Sequence, residues 1–428
     1  MRSESRQADK RYRRKLLALV SSAGFFEGYD TFVLSFVTAT ILQDLDVPVR
    51  HGGLVKGVVE AGAIAAFFLA AQVDRFGRRR LLLITISGYT VATFLTAFSP
   101  HLIVLAAMQF VARTFSGAEG AIATTMVVEE YPAGERGRAV GILASMGTLA
   151  TIAVGLLGLA GFGNTPLGWR AYYLVGILPL IFIGMARRGI RETSLYARSK
   201  EASEGSDQDL VSMWEPWKPA FRRNLLAIGA MHFFRNVAIA SAVSWVAFYA
   251  EEEVGLSEGT TGLILAIAAA VGVFGFIVGS RLMDRVGRRP AFMVFTALSA
   301  VFGVMLFQAT GAATLVVALC GAIFFGLGSG SMTNALATEP FPTYVRGRAA
   351  TWCRNFFEIP GGILGPILVG FLGDPDTGVL GSVGTAMTVL SALMVVPVLF
   401  VTWRFVPETK GADLERMDMA VESARGGE

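Results

Sequence analysis

Cysteine and histidine are nearly missing from this chain of 428 residues, with two of the first (Cys320, Cys353) and three of the second (His51, His101, His232). Two cysteines inside or beside apolar stretches give no disulfide framework, and three scattered histidines assemble no metal site. Charge is scarce too. Only 16% of the residues are Asp, Glu, Lys or Arg against 53% hydrophobic ones, too little polar surface to coat a soluble protein of this length. No nucleophile with a matching base is visible and no cofactor is implied, which argues against an enzyme. The net charge of +4 sits in short basic clusters between apolar stretches. That pattern orients a chain against lipid and does not mark a nucleic-acid binder.

What the chain has in quantity is apolar length. Twelve stretches, from residues 16–42 through 382–403, are long enough to cross a bilayer, six in each half. Hydrocarbon offers backbone groups no water, so stretches of this length are read as helices. The expected fold is an all-α membrane protein of twelve transmembrane helices in two pseudo-symmetric six-helix bundles. Its organisation reads as an amino-terminal segment 1–15, a first bundle 16–186, a linker 187–223, a second bundle 224–404 and a tail 405–428. The linker is rich in charge and Ser and closes with Trp214, Pro216, Trp217 and Pro219. One surface-lying helix is expected there, with its Trp residues at headgroup level. About 32 of the 37 Lys and Arg are assigned to the amino terminus, alternate loops, the linker or the tail. Arg50 and Arg170 stand on the opposite side, and Lys56, Arg113 and Arg235 lie inside spans. The positive-inside rule then places both termini in the cytoplasm of a multi-pass protein of the cell membrane.

Two loop motifs recur at one fixed distance. Asp74-Arg75-Phe76-Gly77-Arg78-Arg79 returns as Asp284-Arg285-Val286-Gly287-Arg288-Arg289, and Glu129, Pro132 and Arg136 return as Glu339, Pro342 and Arg346, all 210 residues later. Separate motifs sharing one offset point to a duplicated unit. Duplicated membrane halves are the sign of a transporter.

With Asp-Arg-x-Gly-Arg-Arg after spans two and eight of twelve, the chain resembles the major facilitator superfamily over essentially its whole length. Glu129-Glu130-Tyr131-Pro132, Glu339-Pro340-Phe341-Pro342 and the tail Pro407-Glu408-Thr409-Lys410-Gly411 are similar to the sugar-porter-like branch. Glu27-Gly28-Tyr29-Asp30 is similar to the signature of aromatic-acid/proton symporters, with Glu in place of the first Asp. There are departures. The family's Gly four residues before each loop aspartate is Ala70 or Ser280 here, and the paired glutamine of sugar porters in span seven is replaced by His232-Phe233-Phe234-Arg235-Asn236. The resemblance implies a cytoplasmic gate that latches the outward-facing state. Its members here are Asp74, Arg75, Gly77, Arg78, Glu129 and Arg136, with a twin in Asp284, Arg285, Gly287, Arg288, Glu339 and Arg346.

Charges within spans are costly and are expected to face a cavity or a partner. Glu27, Arg113 and Arg235 fall near the midplane, and Asp30, three residues past Glu27, shares its helix face at about the level of Glu60. A carboxylate cluster facing an arginine is an arrangement from which proton coupling is built. Asp30, helped by Glu27, is the expected proton acceptor, and Arg113 the group that drives release. A static ion pair between spans one and four is the competing reading. Arg235, Asn236, Glu60, Trp245 and Tyr249 are the expected substrate contacts, with Arg235 favouring an anion. Arg354 and Glu358, four apart, are expected to pair with each other, and His232 reads as a packing residue. The expectation is a secondary transporter working by alternating access, taking up a small organic anion, an aromatic or other carboxylate metabolite, together with protons, as a monomer in the lipid bilayer. A sugar or polyol symporter and a proton-driven multidrug exporter stay open, as does a sensor that keeps the fold without transport.

Overall fold

A computed structural model describes residues 2–187 and 212–410, and within these ranges a few side chains, that of Asp74 among them, fall outside the description. The helix expected in the linker falls in residues 188–211, outside the described residues. All regular structure among the described residues is helical. In chain order the helices are α1 (Arg2–Phe36), α2 (Thr38–Asp44), α3 (Val49–Ala70), α4 (Val73–Phe76), α5 (Arg78–Thr96), α6 (Leu102–Glu130), α7 (Ala133–Leu159) and α8 (Arg170–Arg187). There follow α9 (Pro219–Phe248), α10 (Glu258–Val286), α11 (Arg288–Leu306), α12 (Ala312–Thr338), α13 (Thr343–Trp352), α14 (Ile359–Leu372) and α15 (Val383–Phe405). A π-helical segment, Cys353–Glu358, joins α13 to α14.

Among the described residues nine helices, some continued by a π-helical turn or segment, are long and apolar enough to cross a membrane, and α1 with α2, bent by 54°, make a tenth span. The other two expected spans are α5, which opens on Arg78, Arg79 and Arg80, and α8, which is 18 residues long. The duplication reappears in the helix boundaries: α5 and α11 both run 19 residues and start 210 residues apart.

The chain divides into two compact units, residues 1–47, 58–208 and 257–266 in the first, and 48–57, 209–256 and 267–428 in the second. In the first unit α1 packs on α6, α7 and α8, and α5 packs on α6 and α8. In the second the equivalent pairs form, with α9 on α14 and α15, and α11 on α12 and α15. Contacts are close where glycines meet backbone. A Cβ on Gly62 would lie 2.6 Å from the Phe110 carbonyl oxygen in the first unit, and one on Gly275 would lie 2.0 Å from that of Phe324 in the second. Small residues let helices approach so closely where lipid supplies no hydrophobic drive.

The end of the linker differs from expectation. Trp217 meets the Trp352 ring edge-on at 5.2 Å, and the Trp352 indole donates to the Met213 carbonyl at 2.9 Å. Trp217 packs into the protein, and Trp214 keeps most of its surface exposed.

Candidate functional site

Two rungs of polar side chains cross the first unit. On one, Arg113 of α6 meets Glu27 of α1 at 2.8 Å and Glu60 of α3 at 3.3 Å. On the other, Asp30 of α1 accepts from the Gln109 amide of α6 at 3.4 Å, and that amide also donates to Thr96 at 3.1 Å. The helical period explains the ladder. Glu27 and Asp30 are three apart and Gln109 and Arg113 four apart, so each pair lies on one face. Gly120, one of the glycines following Arg113, leaves the room, since a Cβ there would stand 2.8 Å from a Glu27 carboxylate oxygen. Asp30 is 4% exposed, and its partner Gln109 is fully buried. Arg113 therefore holds Glu27 and Glu60, and Asp30 hydrogen-bonds to an amide instead. Of the expected carboxylate cluster, Glu27 and Glu60 meet Arg113 directly and Asp30 lies one turn of α6 away. Glu119 is buried on the same helix.

The second unit holds its charges differently. Arg235 of α9 donates through Nη2 to the Gly326 carbonyl and to Ser329 of α12, both at 3.2 Å, and its buried Nε has no hydrogen-bond partner among the described residues. Asn236 donates to the Glu358 carbonyl at 2.7 Å. The Glu358 carboxylate stands 3.0 Å from His232 Nδ1. Here the expectation of an Arg354–Glu358 pair is overturned. The carboxylate is taken by His232 of α9, on which the π segment packs, and Arg354 is an exposed residue. Trp245 and Tyr249 are committed to packing. The Trp245 indole donates to the Pro366 carbonyl at 3.2 Å while the Lys56 ammonium covers its ring at 3.8 Å, and the Tyr249 hydroxyl donates to the Ala309 carbonyl at 2.9 Å. Neither offers a free polar edge to a ligand.

The repeated loops are built alike. Arg78 donates to Glu129 at 2.8 Å in the first unit, and Arg288 to Glu339 at 3.0 Å in the second. The glycine before each arginine takes the left-handed region, with φ of 85° at Gly77 and 114° at Gly287, where a Cβ is strained. Arg136 and Arg346 both donate to a carbonyl five residues back, Tyr131 and Phe341, at 3.3 Å. In each loop the arginine donates to a carbonyl just past the preceding helix, and no carboxylate partner of either is found among the described residues. Asp284 reaches Arg288 at 3.5 Å as an exposed neighbour, and Arg75 and Arg285 are exposed. The Asp74 side chain lies outside the described ones. The tail braces the second loop. Glu408 of the tail accepts from the backbone N–H groups of Arg288 and Arg289 at 3.0 Å each, at the start of α11, and Thr409 bonds to Glu339. Burial opposes ionisation of Glu408, but the N–H groups of Lys410, Arg288, Arg289 and Thr409 outweigh it and hold the carboxyl below its ordinary range.

A family model described as Major Facilitator Superfamily matches residues 20–366. The chain belongs to this superfamily. The repeated loops, the helical repeat and the absence of strands among the described residues are accordingly those of a facilitator-type transporter, not an enzyme. A niacin transporter of Acinetobacter baylyi is 25% identical, the match covering 83% of this chain and 86% of the relative. A cis,cis-muconate transport protein of the same organism is 24% identical over 88% of this chain and 91% of its own length. Among solved structures, a bacterial homologue of the human lysosomal transporter Spinster superposes with a TM-score of 0.75 at 16% identity, covering 92% of this chain and 98% of that one. This last likeness concerns the fold alone.

Gln109, Ser329, His232 and Glu358 as site residues, and the bracing role of Glu408, escaped the sequence reading. Gln109 carries a faint signal, since it stands one turn before Arg113 on the same face. The pairing of His232 with Glu358 across 126 residues carries none.

Proposed function

We propose that this facilitator takes up a small organic anion, an aromatic or other carboxylate metabolite, together with protons, by alternating access in the cell membrane, with both termini cytoplasmic and a single chain as the working unit. The observation that carries the reading is Arg235. Its guanidinium is anchored on one side by Gly326 and Ser329 while Nε stays unpartnered among the described residues, so donors remain for a carboxylate, which guanidinium binds in a two-pronged geometry. Asn236 is its neighbour on α9. Relatives named for niacin and cis,cis-muconate agree with a carboxylate cargo.

Proton coupling is assigned to the first unit. Desolvation penalises a charged carboxylate and a nearby cation offsets that penalty. Glu27 and Glu60 have such a cation in Arg113, whereas Asp30 has Gln109. Asp30 is therefore the group that binds the proton. A shift of α6 along α1 by about one turn, about 6 Å, would exchange the Gln109 rung for the Arg113 rung, bring the guanidinium to Asp30 and expel the proton, with Glu27 and Glu60 receiving Arg113 back afterwards. The Arg78–Glu129 and Arg288–Glu339 pairs are the proposed gate at the cytoplasmic face.

The test is uptake into liposomes of purified protein, with labelled nicotinate and cis,cis-muconate as probes. An alkaline interior should drive accumulation of at least one carboxylate, and Arg235→Gln should abolish it. Accumulation of neutral sugars or cationic drugs, with no carboxylate transported, would reject the reading.

A further inference from the structure

The second unit contains an ionisable pair that the uptake scheme leaves unused. His232 is 3% exposed, its Nδ1 lies 3.0 Å from a Glu358 carboxylate oxygen, and its Nε2 is buried with no hydrogen-bond partner among the described residues. The pair is held from both sides. The π segment brings Glu358 toward α9, and Asn236 of that helix takes up the Glu358 backbone carbonyl at 2.7 Å. Single π turns inside α-helices recur at functional sites. Water reaches the pair from the Glu358 side, where 31% of the side chain is exposed.

The charges facing the pair are few. Arg235 of α9 and Arg354 of the π segment are near enough for their fields to act on Glu358, and the Cys353 thiol is the third neighbour. On the packed elements, α14 carries no ionisable side chain, α12 carries Cys320, α15 has Arg404 in its last turn, α13 carries Tyr344, Arg346 and Arg348, and the turn before α9 carries Glu215.

We propose that His232 and Glu358 form a second proton-binding site, whose occupancy controls how strongly Arg235 attracts an anion. With the imidazole neutral, Nδ1–H donates to the Glu358 carboxylate and the pair carries one negative charge, which offsets the charge of Arg235. A proton taken up at Nε2 makes the pair an imidazolium–carboxylate couple of zero net charge. The field of Arg235 is then left uncompensated and available to a carboxylate. Linkage is reciprocal, so a bound anion in turn retains the proton. Imidazole is the side chain suited to such a change between pH 5 and 8. The control of anion affinity rests on the anion reading above; the proton site itself does not.

Because the chain has three histidines, nitrogen-15 NMR of histidine-labelled full-length protein in lipid nanodiscs reads His232 directly. Its signal is assigned by its loss in His232→Gln or, should that variant fail to fold, by elimination in His51→Gln and His101→Gln. The expected result is one protonation of His232 in its nitrogen-15 signal, with its midpoint lower in Glu358→Gln and higher in Arg235→Gln than in the native protein. Nicotinate and cis,cis-muconate are then added as probes, and whichever stabilises the protein thermally should shift the titration upward. A His232 signal that does not titrate, or that titrates unchanged in Glu358→Gln, overturns the proposal. A carboxylate that stabilises the protein and leaves the titration unmoved overturns the coupling to Arg235. If no carboxylate stabilises the protein, the anion reading fails instead, and the titration alone still decides the proton site.

Discussion

The loops of the two units repeat the same arginine–glutamate pair 210 residues apart, but the charges inside their spans do not repeat. Arg78–Glu129 and Arg288–Glu339 are the same interaction made twice, each arginine preceded by a glycine in a left-handed conformation. Inside the spans, the first unit sets one arginine against Glu27 and Glu60 with Asp30 beside them, while the second sets one arginine near a single carboxylate already engaged by a histidine. Neither Arg113 nor Glu27 has a charged counterpart 210 residues on, where Ile323 and Val237 stand. Duplication conserved the parts that any moving pair of bundles needs at its aqueous face. The buried chemistry diverged, an excess of negative charge on one side and a cation with donors to spare on the other. That division suits the proposed symport of protons and anions.

The largest effect that would break this comparison is on the arginines. Arg113→Gln leaves Glu27 and Glu60 without their counter-ion and should cost roughly 3–5 kcal/mol of stability, whereas Arg235→Gln gives up mainly hydrogen bonds to Gly326 and Ser329 and should cost about 1–2 kcal/mol. Denaturation in detergent with matched controls measures both, and equal losses would contradict the asymmetry. Next come the glycines. Gly77→Ala and Gly287→Ala should each lose roughly 1–2 kcal/mol to left-handed strain, with the greater loss at Gly287, where a Cβ would stand 2.8 Å from a Glu408 carboxylate oxygen. An equal loss at both would show that Glu408 yields freely.

The smallest effect concerns that brace. A carboxyl held below its ordinary range stabilises its surroundings above the unfolded value of about 4.3, and the contribution fades as pH falls through the lower folded value. Amide exchange at Arg288, Arg289, Thr409 and Lys410 should therefore be slow and level from pH 7 to 5, after correction for the intrinsic rate, and should quicken only in more acid solution. Glu408→Gln should show fast exchange throughout. A step above pH 5 would mean that another group governs the loop.

Much of this was legible in the chain because repetition is a one-dimensional signal. Helix lengths, the two loop motifs and the need for glycine at 77 and 287 all follow from local spacing. The ladder of the first unit was half legible. Spacing put Glu27 and Asp30 on one face, but which rung of α6 each would meet depends on how that helix is shifted along α1, a matter of packing at Gly62 and Gly120 that no local pattern encodes. The second unit was less legible. Arg354 and Glu358 are spaced as an α-helical pair, yet Glu358 meets His232 and Arg354 is exposed, because packing of the π segment on α9, not local spacing, selects the partner. Trp245 and Tyr249 have the composition of a ligand-covering pair, yet their polar atoms are taken by the Pro366 and Ala309 carbonyls. Likewise Arg75 and Arg285 belong to the motif by sequence but stand on the exposed side of it.

The most direct test of proton coupling through the first unit is a comparison of two transport modes in Asp30→Asn, reconstituted in liposomes with labelled nicotinate or cis,cis-muconate, whichever the native protein carries. Exchange of internal for external substrate needs no net proton movement, and accumulation against a gradient does. The account predicts that exchange persists in this variant while accumulation driven by an alkaline interior disappears. Accumulation at the native level would contradict it.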